Sequence, residues 1–66
     1  MKLTVNGERR ELPERITLAE LIAQMKFGGK RLAVERNGEI VPRSLYAQTW
    51  LAEADRIEIV HAIGGG

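Results

Sequence analysis

Residues 16–25 read ITLAELIAQM and place one amphipathic helix with a well-marked start. The Thr17 hydroxyl can accept from the backbone N–H three residues on, and the Glu20 carboxylate can reach back to the backbone N–H of Thr17, a reciprocal capping box. Ile16 and Leu21 fall at the two positions of a hydrophobic staple around that cap. Leu18, Leu21, Ile22 and Met25 then recur at i, i+3, i+4 and i+7, so one face is apolar and needs a surface to lie on. Gly28-Gly29 is expected to end the helix, because glycine takes the left-handed conformation of a helix terminus at little cost.

That surface is supplied on both sides of the helix. Upstream, Met1, Leu3 and Val5 alternate with Lys2 and Thr4, the period of a half-buried strand. Asn6-Gly7 is a hairpin signal, since the tight turn needs positive φ at both central residues. The returning segment, 8–12, is mostly charged, as an edge strand that must not pair with other chains. Downstream, residues 32–36 read as a strand with Leu32 and Val34 on one face. Asn37-Gly38 turns the chain into a short strand at 39–41, which Pro42 ends because it has no N–H to give a ladder. Residues 44–51 suit a short helical turn that Ser44 can cap, with Leu45, Tyr46, Trp50 and Leu51 as apolar cover. After a turn at Ala54-Asp55, residues 56–62 form the last strand, with Ile57 and Ile59 inward and Arg56, Glu58 and Val60 outward.

Strand, strand, helix, strand, strand, helical turn, strand is an α+β order. It predicts a mixed sheet of about five strands covered by one main helix, with the first and last strands side by side at its centre. That is the β-grasp, or ubiquitin-like, architecture, expected over 1–63 and followed by a C-terminal glycine tail at 64–66. The architecture by itself carries no function.

Composition narrows the function classes. With 66 residues, one domain is expected, too small for a deep catalytic cleft. The chain has no cysteine, which removes disulfides, thiolate metal sites and thiol nucleophiles, and points to a reducing cytoplasm. The formal net charge is +1, with the charges mixed along the chain, so no basic stripe for nucleic acid is present. No run approaches the roughly 18 apolar residues of a membrane span.

No set of side chains makes a catalytic centre. Ser44, Asp55 and His61 are the ingredients of a triad, but Ser44 lacks the strand-turn-helix setting of a nucleophile. His61 is the one histidine and reads as a surface residue without metal partners. Gly28-Gly29 follows a helix, where a phosphate loop precedes one. The remaining feature is Gly64-Gly65-Gly66. A terminal α-carboxylate has a pKa of about 3.3–3.7, is ionised at neutral pH, and can attack ATP to give an acyl-adenylate that a sulfur nucleophile opens. Without Cβ atoms, Gly64 and Gly65 can thread a narrow partner channel, with Gly66 as the reacting residue. Val60, Ala62 and Ile63 leave apolar surface beside the tail, a candidate docking patch.

Along nearly its whole length the sequence resembles the ThiS family of sulfur carriers. The likeness is carried by Val5-Asn6-Gly7-Glu8, by the helix start from Thr17 to Ile22, by Val34 to Arg43 with its Asn-Gly-Glu-Ile-Val-Pro-Arg run, by Asp55 to Val60, and by Gly65-Gly66. Ala54 departs from the pattern, because many members carry glycine before that aspartate. The resemblance implies a co-substrate and not an enzyme, binding no cofactor or metal of its own. It implies adenylation of Gly66 by a ThiF-type adenylyltransferase using ATP and Mg. It also implies sulfur from a cysteine desulfurase or other persulfide donor, and delivery of the thiocarboxylate to the thiazole synthase ThiG in thiamin biosynthesis. Two alternatives fit the same residues: a MoaD-like carrier serving molybdopterin or another sulfur-transfer pathway, and a non-covalent β-grasp interaction module.

Overall fold

The computed structural model describes residues 1–27 and 31–61. It contains strands β1 (Lys2–Val5), β2 (Glu8–Glu11), β3 (Leu32–Arg36), β4 (Glu39–Val41) and β5 (Arg56–His61), one α-helix, α1 (Leu18–Met25), and a 3-10 helix over Arg43–Gln48. The five strands form one sheet in the order β2-β1-β5-β3-β4. β1 and β5 run parallel, with Thr4 beside Arg56 and Val5 beside Ile57. β5 is antiparallel to β3 along five registered pairs, from Leu32 with His61 to Arg36 with Ile57. The two hairpins supply the remaining antiparallel pairs. This is the β-grasp arrangement expected from the sequence, with β5 as the middle strand.

The period-2 pattern decides which face is covered. Leu3, Val5, Val34, Ile57 and Ile59 point under the helix and are nearly inaccessible, as are Leu18 and Leu21 of α1. Ile22 and Met25 pack against this core from the helix side. An eight-residue helix is marginal alone, so its stability comes from that packing and from its cap. The Thr17 hydroxyl accepts from Glu20 N–H at 3.2 Å, and the Thr17 N–H donates to Glu20 Oε1 at 2.9 Å, so the capping box forms as expected. The chain before the cap is tied to the segment after the 3-10 helix: Leu18 N–H donates to Thr49 O at 2.8 Å and Leu51 N–H to Ile16 O at 3.0 Å.

Three local expectations need correcting. Helix α1 ends earlier than Gly28-Gly29, a pair that lies outside the described residues; the left-handed residue is Lys26, at φ 56°. Met25 is the last apolar residue of the helical face, and the next positions of that face, 28 and 29, offer no side chain to bury. Ser44 does not cap the helical turn, which starts at Arg43 behind Pro42 with no side-chain cap bond; Ser44 is already inside it. Leu45 and Trp50 are not core cover, being 43% and 52% exposed, whereas Tyr46 packs on the core and Leu51 is buried. In a three-fold helix neighbours point about 120° apart, so a turn that aims Tyr46 inward aims Leu45 away.

Candidate functional site

The site is the end of β5 and the face of the sheet that the helix leaves open. β5 is held by neighbours on both sides, and two asparagines add side-chain clamps. Asn6 and Asn37 each take a left-handed conformation, at φ 52° and 53°, and each is followed by a glycine with positive φ, Gly7 at 81° and Gly38 at 87°. These are the two expected Asn-Gly turns, but the amides have a further task. Asn6 Oδ1 accepts from Ile59 N–H at 2.8 Å and its Nδ2 donates to Ile59 O at 3.2 Å, extending the parallel ladder by one side-chain pair. Asn37 Oδ1 accepts from Arg56 N–H at 2.8 Å. Glycine would satisfy φ at these positions; only asparagine also grips the strand.

The start of β5 is fixed by Asp55, 5% exposed. Its carboxylate accepts from Arg36 Nε at 2.9 Å, Asn37 Nδ2 at 3.0 Å and Ala52 N–H at 2.8 Å. Burial raises the carboxyl pKa, but the hydrogen bonds from Asn37, Ala52 and Arg36, with the Arg36 charge, outweigh it and hold the group below its ordinary value. With its oxygens taken by these donors, Asp55 is a structural hub and not the acid of a triad with Ser44 and His61. In the sequence Asp55 stands out only as a turn residue and as an unconvincing triad acid. The available signal was a lone acid flanked by the inward-pointing run of the last strand, close to Arg36 and Asn37 once strands 3 and 5 pair.

On the open face, Val60 of β5 is 63% exposed and Ile40 of β4 is 67% exposed. The register sets Ala33 beside Val60, and Glu35 beside both Glu58 and Ile40. Asn6, Ala33, Glu35, Glu58 and Val60 line a shallow depression there. Val60 is thus on exposed apolar surface, as expected. The other predicted docking residues, Ala62 and Ile63, and the tail residues Gly64, Gly65 and Gly66 lie outside the described residues. β5 carries the chain toward them from the middle of the sheet. Among the described residues no group of three acids, histidines or cysteines gathers as for a metal, and no helix is long and apolar enough to cross a membrane.

A family model described as the ThiS family matches residues 3–66. Over 66 residues the chain is 46% identical to a thiazole synthase of Paramagnetospirillum magneticum, covering all of this chain but 20% of that protein, so it spans about a fifth of its length. It is 42% identical over 50 residues to the sulfur carrier protein ThiS of Bacillus subtilis, covering 76% of each chain. A crystal structure of the thiamine biosynthesis protein ThiS from Geobacter metallireducens superposes with a TM-score of 0.85 at 32% identity, over 100% of both chains.

Proposed function

The chain belongs to the ThiS family, and from that premise we propose that it is a sulfur carrier of thiamine biosynthesis whose Gly66 carboxylate is the reacting group. The observation that carries the reading is the family match through Gly66, at the end of a segment that begins on the clamped central strand. The reading requires a free carboxyl group on Gly66.

In the first step a Gly66 carboxylate oxygen bonds to the α-phosphorus of MgATP in the active site of a ThiF-type adenylyltransferase, and pyrophosphate leaves. The product is a mixed anhydride, activated at its carbonyl carbon. The terminal sulfur of a persulfide, from a cysteine desulfurase or another donor, then attacks that carbon and AMP leaves. Cleavage of the resulting S–S bond by a thiol leaves the sulfur on Gly66 as a thiocarboxylate, which is delivered to thiazole synthase. All bonds are made in partners' active sites, so this chain acts as a co-substrate and holds no cofactor of its own. Residues without Cβ at 64 and 65 keep the thread slim. The body docks through the open face at Val60 and through Ala62 and Ile63.

The thiazole synthase destination is favoured over a molybdopterin one by the relative named thiazole synthase, in which a matching stretch makes up 20% of the protein. The test is a variant with one residue appended after Gly66. It should fold normally and fail to gain sulfur when given ATP, the adenylyltransferase and a persulfide donor. Normal loading of that variant would refute the reading.

A further inference from the structure

Glu35 and Glu58 stand directly opposite one another on antiparallel β3 and β5. Like charges at directly opposed positions cost stability, and the fold gains nothing from them there. Among the described residues neither carboxylate has a hydrogen-bond or ion-pair partner: Arg56, two residues before Glu58 on the same face, pairs with neither, and Arg36 is paired with Asp55. Apolar side chains flank the pair on two sides, Ile40 beside Glu35 on β4 and Val60 with Ala33 in the next row, and Asn6 lines the same depression. Two negative charges held side by side next to exposed Val60 and Ile40 match a basic side chain whose aliphatic stem lies on those residues while its cationic head bridges the carboxylates.

We propose that Glu35 and Glu58 form a receptor for an arginine or lysine on the surface of thiazole synthase, engaged when the open face docks. The proposal rests on the docking assigned under the proposed function and adds the chemistry of the contact. The partner's cation removes the repulsion between the carboxylates, so a pair that is unfavourable in the free chain becomes favourable in the complex.

The test measures the affinity of the full chain for purified thiazole synthase by calorimetry at low and at near-physiological salt, for the wild type and for E35Q, E58Q and E35Q/E58Q. Melting temperatures are recorded in parallel. The double variant should melt no lower than wild type, bind at least about tenfold more weakly at low salt, and lose most of the salt dependence of binding. The single variants should fall between. Unchanged affinity in the double variant overturns the proposal, and so does a loss of affinity that comes with a lower melting temperature, since the pair would then be structural. Self-association of the double variant with synthase binding intact also overturns it, assigning the charges to keeping copies apart. Failure of the wild-type chain to bind thiazole synthase overturns the proposed function itself. Wild-type binding that survives E35Q/E58Q removes this contact alone.

Discussion

Replacing Ala54 with glycine should raise the melting temperature. Ala54 sits at φ 69°, in the left-handed region, where its Cβ meets the backbone carbonyl. It is held there from both sides. Its N–H donates to Lys2 O at 2.7 Å, the next N–H, of Asp55, donates to Ala52 O at 3.1 Å, and Thr4 N–H donates to Asp55 O at 3.0 Å. Relaxing φ would break the junction between β1 and β5, so the strain stays. For an L-residue it amounts to about 1–2 kcal/mol. Glycine removes it but frees the unfolded chain, which takes back about 0.4–1 kcal/mol. Ala54 is exposed, so little packing is lost. At the midpoints of these two ranges the net gain is about 0.8 kcal/mol, which for a domain of this size is about 3–6 °C. Thermal unfolding followed by circular dichroism measures it, and urea titration should show a higher midpoint at the same slope. A54N should fall between, because asparagine tolerates this conformation better than alanine. An unchanged or lower melting temperature for A54G would show that the turn is not strained by Ala54 and refute the reasoning.

D55N leaves Arg36, Asn37 and the Ala52 N–H facing an amide and should cost about 2–3 kcal/mol in a denaturant titration at neutral pH. Because the folded pKa of Asp55 lies below its ordinary value of 3.8, the stability it contributes is present above that value and lost as pH falls through the folded pKa; acid titration should therefore find D55N less sensitive than wild type below about pH 4. N6G keeps the turn but releases Ile59 and should cost about 1–2 kcal/mol, with faster hydrogen exchange at the Ile59 amide; N6A adds the left-handed penalty less the unfolded-chain term that glycine carries, and the two variants should separate by about 0.8 kcal/mol in urea. T17A should cost about 1 kcal/mol in the same assay, by loss of the helix cap.

The parts of the fold set by local chemistry were legible in the sequence. The Thr17–Glu20 box, the two Asn-Gly turns and the alternation at Leu3, Val5, Ile57 and Ile59 each have a short-range cause, and together they left one arrangement of strands. What was not legible depends on contacts across the chain. The second role of Asn6 is visible only when β5 lies beside β1, 53 residues away in sequence. Asp55 becomes a hub only when β3 brings Arg36 and Asn37 to it. The exposure of Leu45 follows from the pitch of a 3-10 helix, which the apolar content of 44–51 does not reveal, and Trp50 lies beyond that helix, bridged to Thr17. The Glu35–Glu58 opposition required the register of β3 on β5. The glycine tail at 64–66, which lies outside the described residues, is read from the covalent sequence alone, because three consecutive glycines need no folding to be recognised. Its neighbour Val60 was legible for a similar reason, as an apolar residue out of phase with the buried positions of its strand.

The central claim is that the carboxylate of Gly66 becomes a thiocarboxylate. The chain, incubated with MgATP, a ThiF-type adenylyltransferase and a persulfide donor, should gain the mass difference between one sulfur and one oxygen. Fragmentation mass spectrometry should place it on Gly66. An unshifted mass, under conditions that convert the Bacillus subtilis sulfur carrier protein, or a shift located elsewhere in the chain, would contradict the account.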